Sequence, residues 1–174
     1  MKEGKYRLIM NYSPSHQAGF TLIEVLVAVA IIGILAVIAG PDLLRMMPGI
    51  RLNNAAQRIV NDIQFARMRS IATSREYRLN FDISAESYRI EEGNQSAGSS
   101  WPGTLIDQER RFSDTSNMFY QKDIDINNVT QNPVFNSKGF CSTTSTIKIQ
   151  NNNGGRKRIT INIAGGIKVY DSWD

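Results

Sequence analysis

The stretch Gly19-Phe20-Thr21-Leu22-Ile23-Glu24-Val25-Leu26-Val27-Ala28-Val29-Ala30 decides how this chain is built. A small residue is followed at once by an apolar run that continues to Ala39, 20 residues from Phe20. At about 1.5 Å per residue, a helix of that length covers about 30 Å, the thickness of a bilayer core. One carboxylate, Glu24, lies inside the run near its start. A charge within a membrane span costs roughly 2.5–3.5 kcal/mol on insertion scales, so a position that keeps one marks a function. Gly33 interrupts the Leu, Ile, Val and Ala of the span, and Pro41 follows it.

Working outward, the run is too long for the core of an ordinary secretory signal, which holds about 7–15 apolar residues. The residues beyond it, Val37-Ile38-Ala39-Gly40-Pro41, make a poor cleavage site because Pro41 would follow the cut. A plain stop-transfer anchor explains the length but not Glu24 or the abrupt Gly19-Phe20 boundary. Lys2, Lys5 and Arg7 precede the span and Arg45, Arg51 and Arg58 follow it, so flanking charge does not set the orientation. A short leader ahead of a folded domain makes a cytoplasmic N-terminus the simplest arrangement. The formal charge of +4 is shared between the ends: the first 19 residues carry a net +2, leaving 17 basic against 15 acidic side chains. The stretch from about Asn53 to Asp174 is the size of one small domain. Cys141 is the only cysteine, which excludes an intrachain disulfide and reads as a small buried filler.

The string Gly-Phe-Thr-Leu-Ile-Glu at Gly19 to Glu24 resembles the processing motif of type IV prepilins and type II secretion pseudopilins. The resemblance implies cleavage between Gly19 and Phe20 by a membrane prepilin peptidase and N-methylation of Phe20. The mature chain would have 155 residues. Cutting ahead of the apolar run keeps the span attached, first as an anchor and then as the packing core of a filament. Glu24 lies one helical turn after the Phe20 amine. In such filaments it would neutralise the terminal amine of a neighbouring subunit; the bland alternative is a carboxylate snorkelling to the headgroups. Gly33 and Pro41 match positions where the family carries helix breakers. Other pilins or pseudopilins, an inner-membrane assembly platform and inner-membrane lipid are the implied partners. The implied location is the inner membrane, single-pass, with the C-terminal domain periplasmic or otherwise extracytoplasmic.

The rest of the chain reads as an α+β, pilin-like fold: a leader over 1–19, a transmembrane and polymerisation helix over 20–40, a kinked extension and amphipathic helix over 41–75, and a β-rich domain over 76–174. Proline lacks the N–H and clashes with the preceding turn, so Pro41 is expected to bend or open the helix and Pro48-Gly49 to divide it. Leu52, Ala56, Ile59, Ile63 and Ala66 form one apolar stripe at helical spacing. Arg58, Asp62, Arg67 and Arg69 lie off the stripe and read as a solvated face. Tyr77, Leu79 and Phe81 alternate with polar residues as in a half-buried strand, which Tyr88-Arg89-Ile90 should pair as a hairpin. Further strands are expected over Phe119–Ile126, Val134–Asn136 and Ile167–Tyr170. Thr146–Ile149 and Ile159–Ile163 should form a hairpin about Asn-Asn-Gly-Gly. Ala66-Arg67, Val134 to Gly139, and Gly165-Gly166-Ile167-Lys168-Val169 resemble the GspH/FimT subgroup, whose usual Gly-Arg near the end appears here as Gly165-Gly166.

Beyond the leader there is no histidine, which removes Ser-His, Cys-His and most zinc arrangements. There is no Walker loop and no GxGxxG after a strand. Glu91-Glu92 and Asp123/Asp125 read as solvated strand-edge charges, and no full calcium ligand set is present. No enzymatic activity and no cofactor are expected. The reading is a structural subunit of a type II secretion pseudopilus or a type IV pilus. The rival reading is nucleic-acid binding. Arg156, Lys157 and Arg158 follow Gly154-Gly155 at an expected hairpin tip, with Lys168 and Lys148 in the same region. Clustered cations give salt-dependent, sequence-independent affinity for phosphates. The string Gly155-Arg156-Lys157-Arg158 also resembles the Gly-Arg-x-Arg of FimT-type minor pilins associated with DNA uptake.

Overall fold

The structure, a computed structural model, describes residues 20–103, 106 and 108–173, leaving out the side chains of Gly40 and Pro41. The chain divides into two compact units that meet between Asp42 and Leu43. One helix, α1 (Leu22–Thr73, 52 residues), makes up the described first unit beyond Thr21 and begins the second. The expected interruptions are absent: Pro41 and Pro48-Gly49 all lie inside helical backbone. A proline removes one N–H and crowds one carbonyl, a local cost of about 3 kcal/mol that a long packed helix can absorb. Around Pro48 the second unit contributes an anchor, since Asn151 Nδ2 donates to the Pro48 carbonyl at 3.1 Å.

Among the described residues, eight strands follow: β1 (Tyr77–Asp82), β2 (Ser87–Glu92), β3 (Arg110–Arg111), β4 (Ile124–Val129), β5 (Val134–Phe135), β6 (Ser145–Asn151), β7 (Arg156–Ile161) and β8 (Ile167–Tyr170). They form two four-stranded antiparallel sheets, ordered β3-β2-β1-β5 and β4-β6-β7-β8. The expected hairpins are both present, with Leu79 opposite Ile90 and Ile149 opposite Lys157. The strand expected from Phe119 begins only at Ile124, because 114–121 are taken up by turns that side chains of Asp114 and Asn117 close on backbone N–H groups. The two-residue β3 had no periodic signal to announce it.

The stripe on α1 is buried as its spacing predicts, with Ala55 and Val60 joining it. It packs in one cluster with Tyr77, Leu79, Tyr88, Ile90 and Phe135 of the first sheet and Ile147, Ile149, Ile159 and Ile161 of the second. Burying each large aliphatic side chain contributes about 1.5–3 kcal/mol. Cys141 is also buried, and burial pushes its thiol pKa up.

Two charged residues that the helical wheel assigns to solvent instead hold this packing together. Asp62 accepts from Arg110 Nε at 2.9 Å and from the Tyr88 hydroxyl at 2.7 Å. Burial, and then the Asp62 carboxylate, raise the Tyr88 pKa well above its ordinary value, so Tyr88 stays a donor. Arg67 donates to the carbonyls of Gly139, Gly165 and Ala164 at 3.0, 3.1 and 3.3 Å. Arg58 stacks on Phe119, 4.1 Å from the ring centroid.

The carbonyls that Arg67 holds belong to a turn used three times. In Asn136 to Phe140, Asn151 to Gly155 and Asn162 to Gly166, the fourth residue is a glycine with φ near +80°. Each leading Asn uses its side-chain oxygen to accept the backbone N–H four residues on. Each also exchanges backbone bonds with the fourth and fifth residues. A positive φ favours glycine at the fourth position. At Gly139 and Gly165 there is a second reason, because an added Cβ would meet the side chains of Ile71 and Arg67 within 3 Å.

Glu91 also differs from expectation. It is 1% exposed and accepts from Arg78 Nε at 2.6 Å, Arg89 Nε at 2.7 Å and Asn80 Nδ2 at 3.1 Å. Burial pushes its pKa up, but the hydrogen bonds from Asn80 and Arg78 and the two arginine charges outweigh it and hold the carboxyl below the usual range. Asp123 lies outside β4 and pairs with Arg51 at 3.4 Å, so Asp123 and Asp125 do not share a strand face.

Candidate functional site

The first candidate is the start of α1. Gly19 lies outside the described residues. Phe20 and Thr21 precede the helix, and Phe20 is 84% exposed. Thr21 is the N-cap: its hydroxyl accepts the Glu24 N–H at 3.3 Å, and its carbonyl accepts from Val25 at 3.2 Å. Thr21-Leu22-Ile23-Glu24 therefore has the spacing of a capping box, with Glu24 in the first turn where the helix dipole favours a carboxylate. That spacing was open to view in the sequence, and Thr21 had no part assigned to it. From Leu22 to Ala39 the helix is long and apolar enough to cross a membrane, and none of it is buried within the structure. Gly33 faces open space. Pro41 is in helical backbone.

The second candidate is the outer face of the second sheet, the side away from Ile147, Ile149, Ile159 and Ile161. The three consecutive cations are not at a hairpin tip; they open β7. Strand alternation therefore separates them. Arg158 is opposite Lys148 on one side and Tyr170 on the other, and its guanidinium lies 4.5 Å from the Tyr170 ring centroid. Arg156 lies 4.7 Å from the Trp173 ring and Lys148 5.6 Å from it. Lys168 sits opposite Thr160, two residues along the same face. Lys157 belongs to the alternate set and is paired with Asp171. The surface thus joins Lys148, Arg156, Arg158 and Lys168 with two aromatic rings. Lys148 and Tyr170 join it through cross-strand register, and Trp173 through the chain folding back after β8. Among the described residues, no group of three His, Cys, Asp or Glu side chains is placed to hold a metal ion.

The motif model for prokaryotic N-terminal methylation matches residues 14–40. The model for the type II transport protein GspH matches residues 55–165, most of the chain. The chain belongs to the GspH family. It shares its fold with the minor pseudopilin EpsH from the type 2 secretion system of Vibrio cholerae. That match has 10% identity and a TM-score of 0.53, covering 71% of this chain and 99% of the other. A crystal structure of the type IV minor pilin FimU from Pseudomonas aeruginosa is similar at 17% identity and a TM-score of 0.50, covering 68% and 92%. No curated protein matches by sequence. The chain thus joins an N-terminal methylation motif to a domain of the type II transport protein GspH family, with the fold of those two neighbours. Its methylation motif and apolar helix fit a membrane-anchored protein.

Proposed function

We propose that this chain is cleaved between Gly19 and Phe20 by a prepilin peptidase, methylated on the Phe20 amine, and built into a pseudopilus or pilus through its N-terminal helix. The observation that carries this reading is the pairing of an exposed Phe20, outside the helix, with an 18-residue apolar helix whose carboxylate, Glu24, stands in the first turn. Before assembly the span over 20–40 anchors the chain in the inner membrane, with the domain extracytoplasmic. During assembly Glu24 neutralises the Phe20 amine of the neighbouring subunit. Pairing is favourable because the alternative is an isolated charge in hydrocarbon. The inner-membrane assembly platform and other pilins are the partners. Glu24→Ala should remain in the membrane fraction and disappear from sheared filaments, while Glu24→Asp should retain partial assembly. Normal incorporation of Glu24→Ala would reject the pairing.

A second reading, nucleic-acid binding, is favoured by the basic and aromatic outer face of β6–β8. Lys148, Arg156, Arg158 and Lys168 can contact successive phosphates, with affinity that falls steeply with salt. Arg156→Ala/Arg158→Ala should abolish retardation of DNA at low salt, whereas Arg69→Ala, on the exposed helix face, should not.

A further inference from the structure

The outer face of the second sheet is already occupied by the chain itself. Three residues beyond β8 fold back over the start of β7. The Asp171 carboxylate takes the Lys157 ammonium, which belongs to the alternate set of β7, and so ties the segment to that strand. The Trp173 indole N–H donates to the Lys157 carbonyl at 3.3 Å. Its ring sits beside both Arg156 and Lys148, at 4.7 and 5.6 Å from the centroid. One acidic and one aromatic side chain thereby engage three of the cations on β6 and β7. Each contact is of a kind a nucleic-acid strand would make: an anion on an ammonium, and a π-face on a guanidinium.

Next to this segment the surface retains unused capacity. Arg158 Nε is buried and has no acceptor among the described residues, although the guanidinium rests on Tyr170. Lys168 borders a shallow depression of about 360 Å³ with Thr144, Thr146 and Thr160. Asp125, opposite Gln150 on β4, is the carboxylate at the far side of this face. Arg156 and Lys148 are thus engaged by the segment, while Arg158 and Lys168 of the same face are not.

We propose that the segment Asp171–Trp173 is an internal competitor for a single-stranded, phosphate-bearing ligand on this face, and that the full surface comprises Lys148, Arg156, Arg158 and Lys168 with Tyr170. The proposal rests on the nucleic-acid reading of the same face and adds its regulation. An incoming strand displaces the Trp173 ring, loosening the Asp171 tether on the other side of β7, and then uses the freed Arg156 and Lys148. The segment is held by one ion pair with a largely exposed carboxylate, one hydrogen bond and two cation–π contacts, so displacement is within reach of a strand that makes several phosphate contacts.

The test is fluorescence anisotropy of fluorescein-labelled oligothymidylate with the full chain in non-ionic detergent, titrated at several salt concentrations. Asp171→Asn and Trp173→Ala, singly and together, are compared with the unaltered chain and with Arg156→Ala/Arg158→Ala. The expected result is binding by the unaltered chain and roughly 3- to 10-fold tighter binding by the double variant. Its salt slope should be steeper by about 0.7 for each extra phosphate contacted. Unchanged or weaker binding by the Asp171 and Trp173 variants, with the unaltered chain binding, overturns the competitor and leaves the surface standing. Binding by none of the chains, or binding that survives Arg156→Ala/Arg158→Ala, overturns the surface as well.

Discussion

Removing the Asp62 carboxylate should unfold much of what holds α1 to the first sheet. Asp62 is on α1, Tyr88 on β2 and Arg110 on β3, and the Asp62 and Arg110 side chains are only 12% and 4% exposed. In Asp62→Ala, Arg110 loses the acceptor of its Nε at 2.9 Å and its Nη2 at 3.3 Å, and the Tyr88 hydroxyl loses its partner at 2.7 Å. Breaking a buried ion pair from one side costs about 3–5 kcal/mol. Against a total stability of about 5–15 kcal/mol, that is a large fraction. The second unit, Leu43–Asp174, carries every residue of the core cluster and is suited to the measurement. With a urea slope of about 1.5 kcal/mol per molar, the midpoint should fall by roughly 2–3 M. Asp62→Asn keeps an acceptor and should cost about half as much. Asp62→Leu/Arg110→Met removes both charges together and should recover at least about 2 kcal/mol relative to the sum of the single changes. A loss under about 1 kcal/mol in Asp62→Ala, or strict additivity in the cycle, would refute the reasoning.

Two further outcomes follow from the same geometry. Gly165→Ala should cost about 2–3 kcal/mol in urea unfolding, since its Cβ would lie 2.9 Å from the Gly139 carbonyl oxygen and from Arg67 Nε and Cζ at a φ of +78°. Gly154→Ala, with a similar φ and open space around it, should cost only about 1 kcal/mol, so equal losses would dismiss the contacts with Gly139 and Arg67 as the cause. The depressed Glu91 pKa means that its contribution is complete above the ordinary carboxylate value near 4.5 and is lost as pH falls through the lower, folded value. Glu91→Gln should therefore lower the midpoint at pH 7 and flatten the fall in stability below pH 4.5; parallel pH profiles for the two proteins would contradict this.

What could be read in the sequence was what local spacing records. The α1 stripe, the Tyr77–Phe81 alternation and the Asn-Asn-Gly-Gly hairpin each declare themselves within a few residues, and the structure has all three. Asp62 and Arg67 misled because their partners come from elsewhere, whereas Glu91 is held by Arg89 on its own strand and by Arg78 and Asn80 across the hairpin. Arg110 is 48 residues from Asp62, and Gly165 is 98 from Arg67, so a helical wheel shows only charges off the apolar stripe. The outer face of β6–β8 was half legible: the three consecutive cations and the nearby Lys148 and Lys168 were visible, but the alternation that splits the three and the pairing that adds Tyr170 were not. Pro41 and Pro48 were read by local rules that a long helix overrode. The recurrence of Asn-x-x-Gly at Asn136, Asn151 and Asn162 and the Thr21-x-x-Glu24 box were present in the string throughout.

Cutting this chain ahead of its apolar run would keep the span with the domain for later use in assembly. Intact-mass and N-terminal peptide analysis of the membrane-bound protein, from cells expressing prepilin peptidase, tests this directly. The expected species is a chain that begins at Phe20 with one methyl group on its amine. A chain that still carries residues 1–19 in the presence of the peptidase, or one cut beyond Ala39, would contradict it.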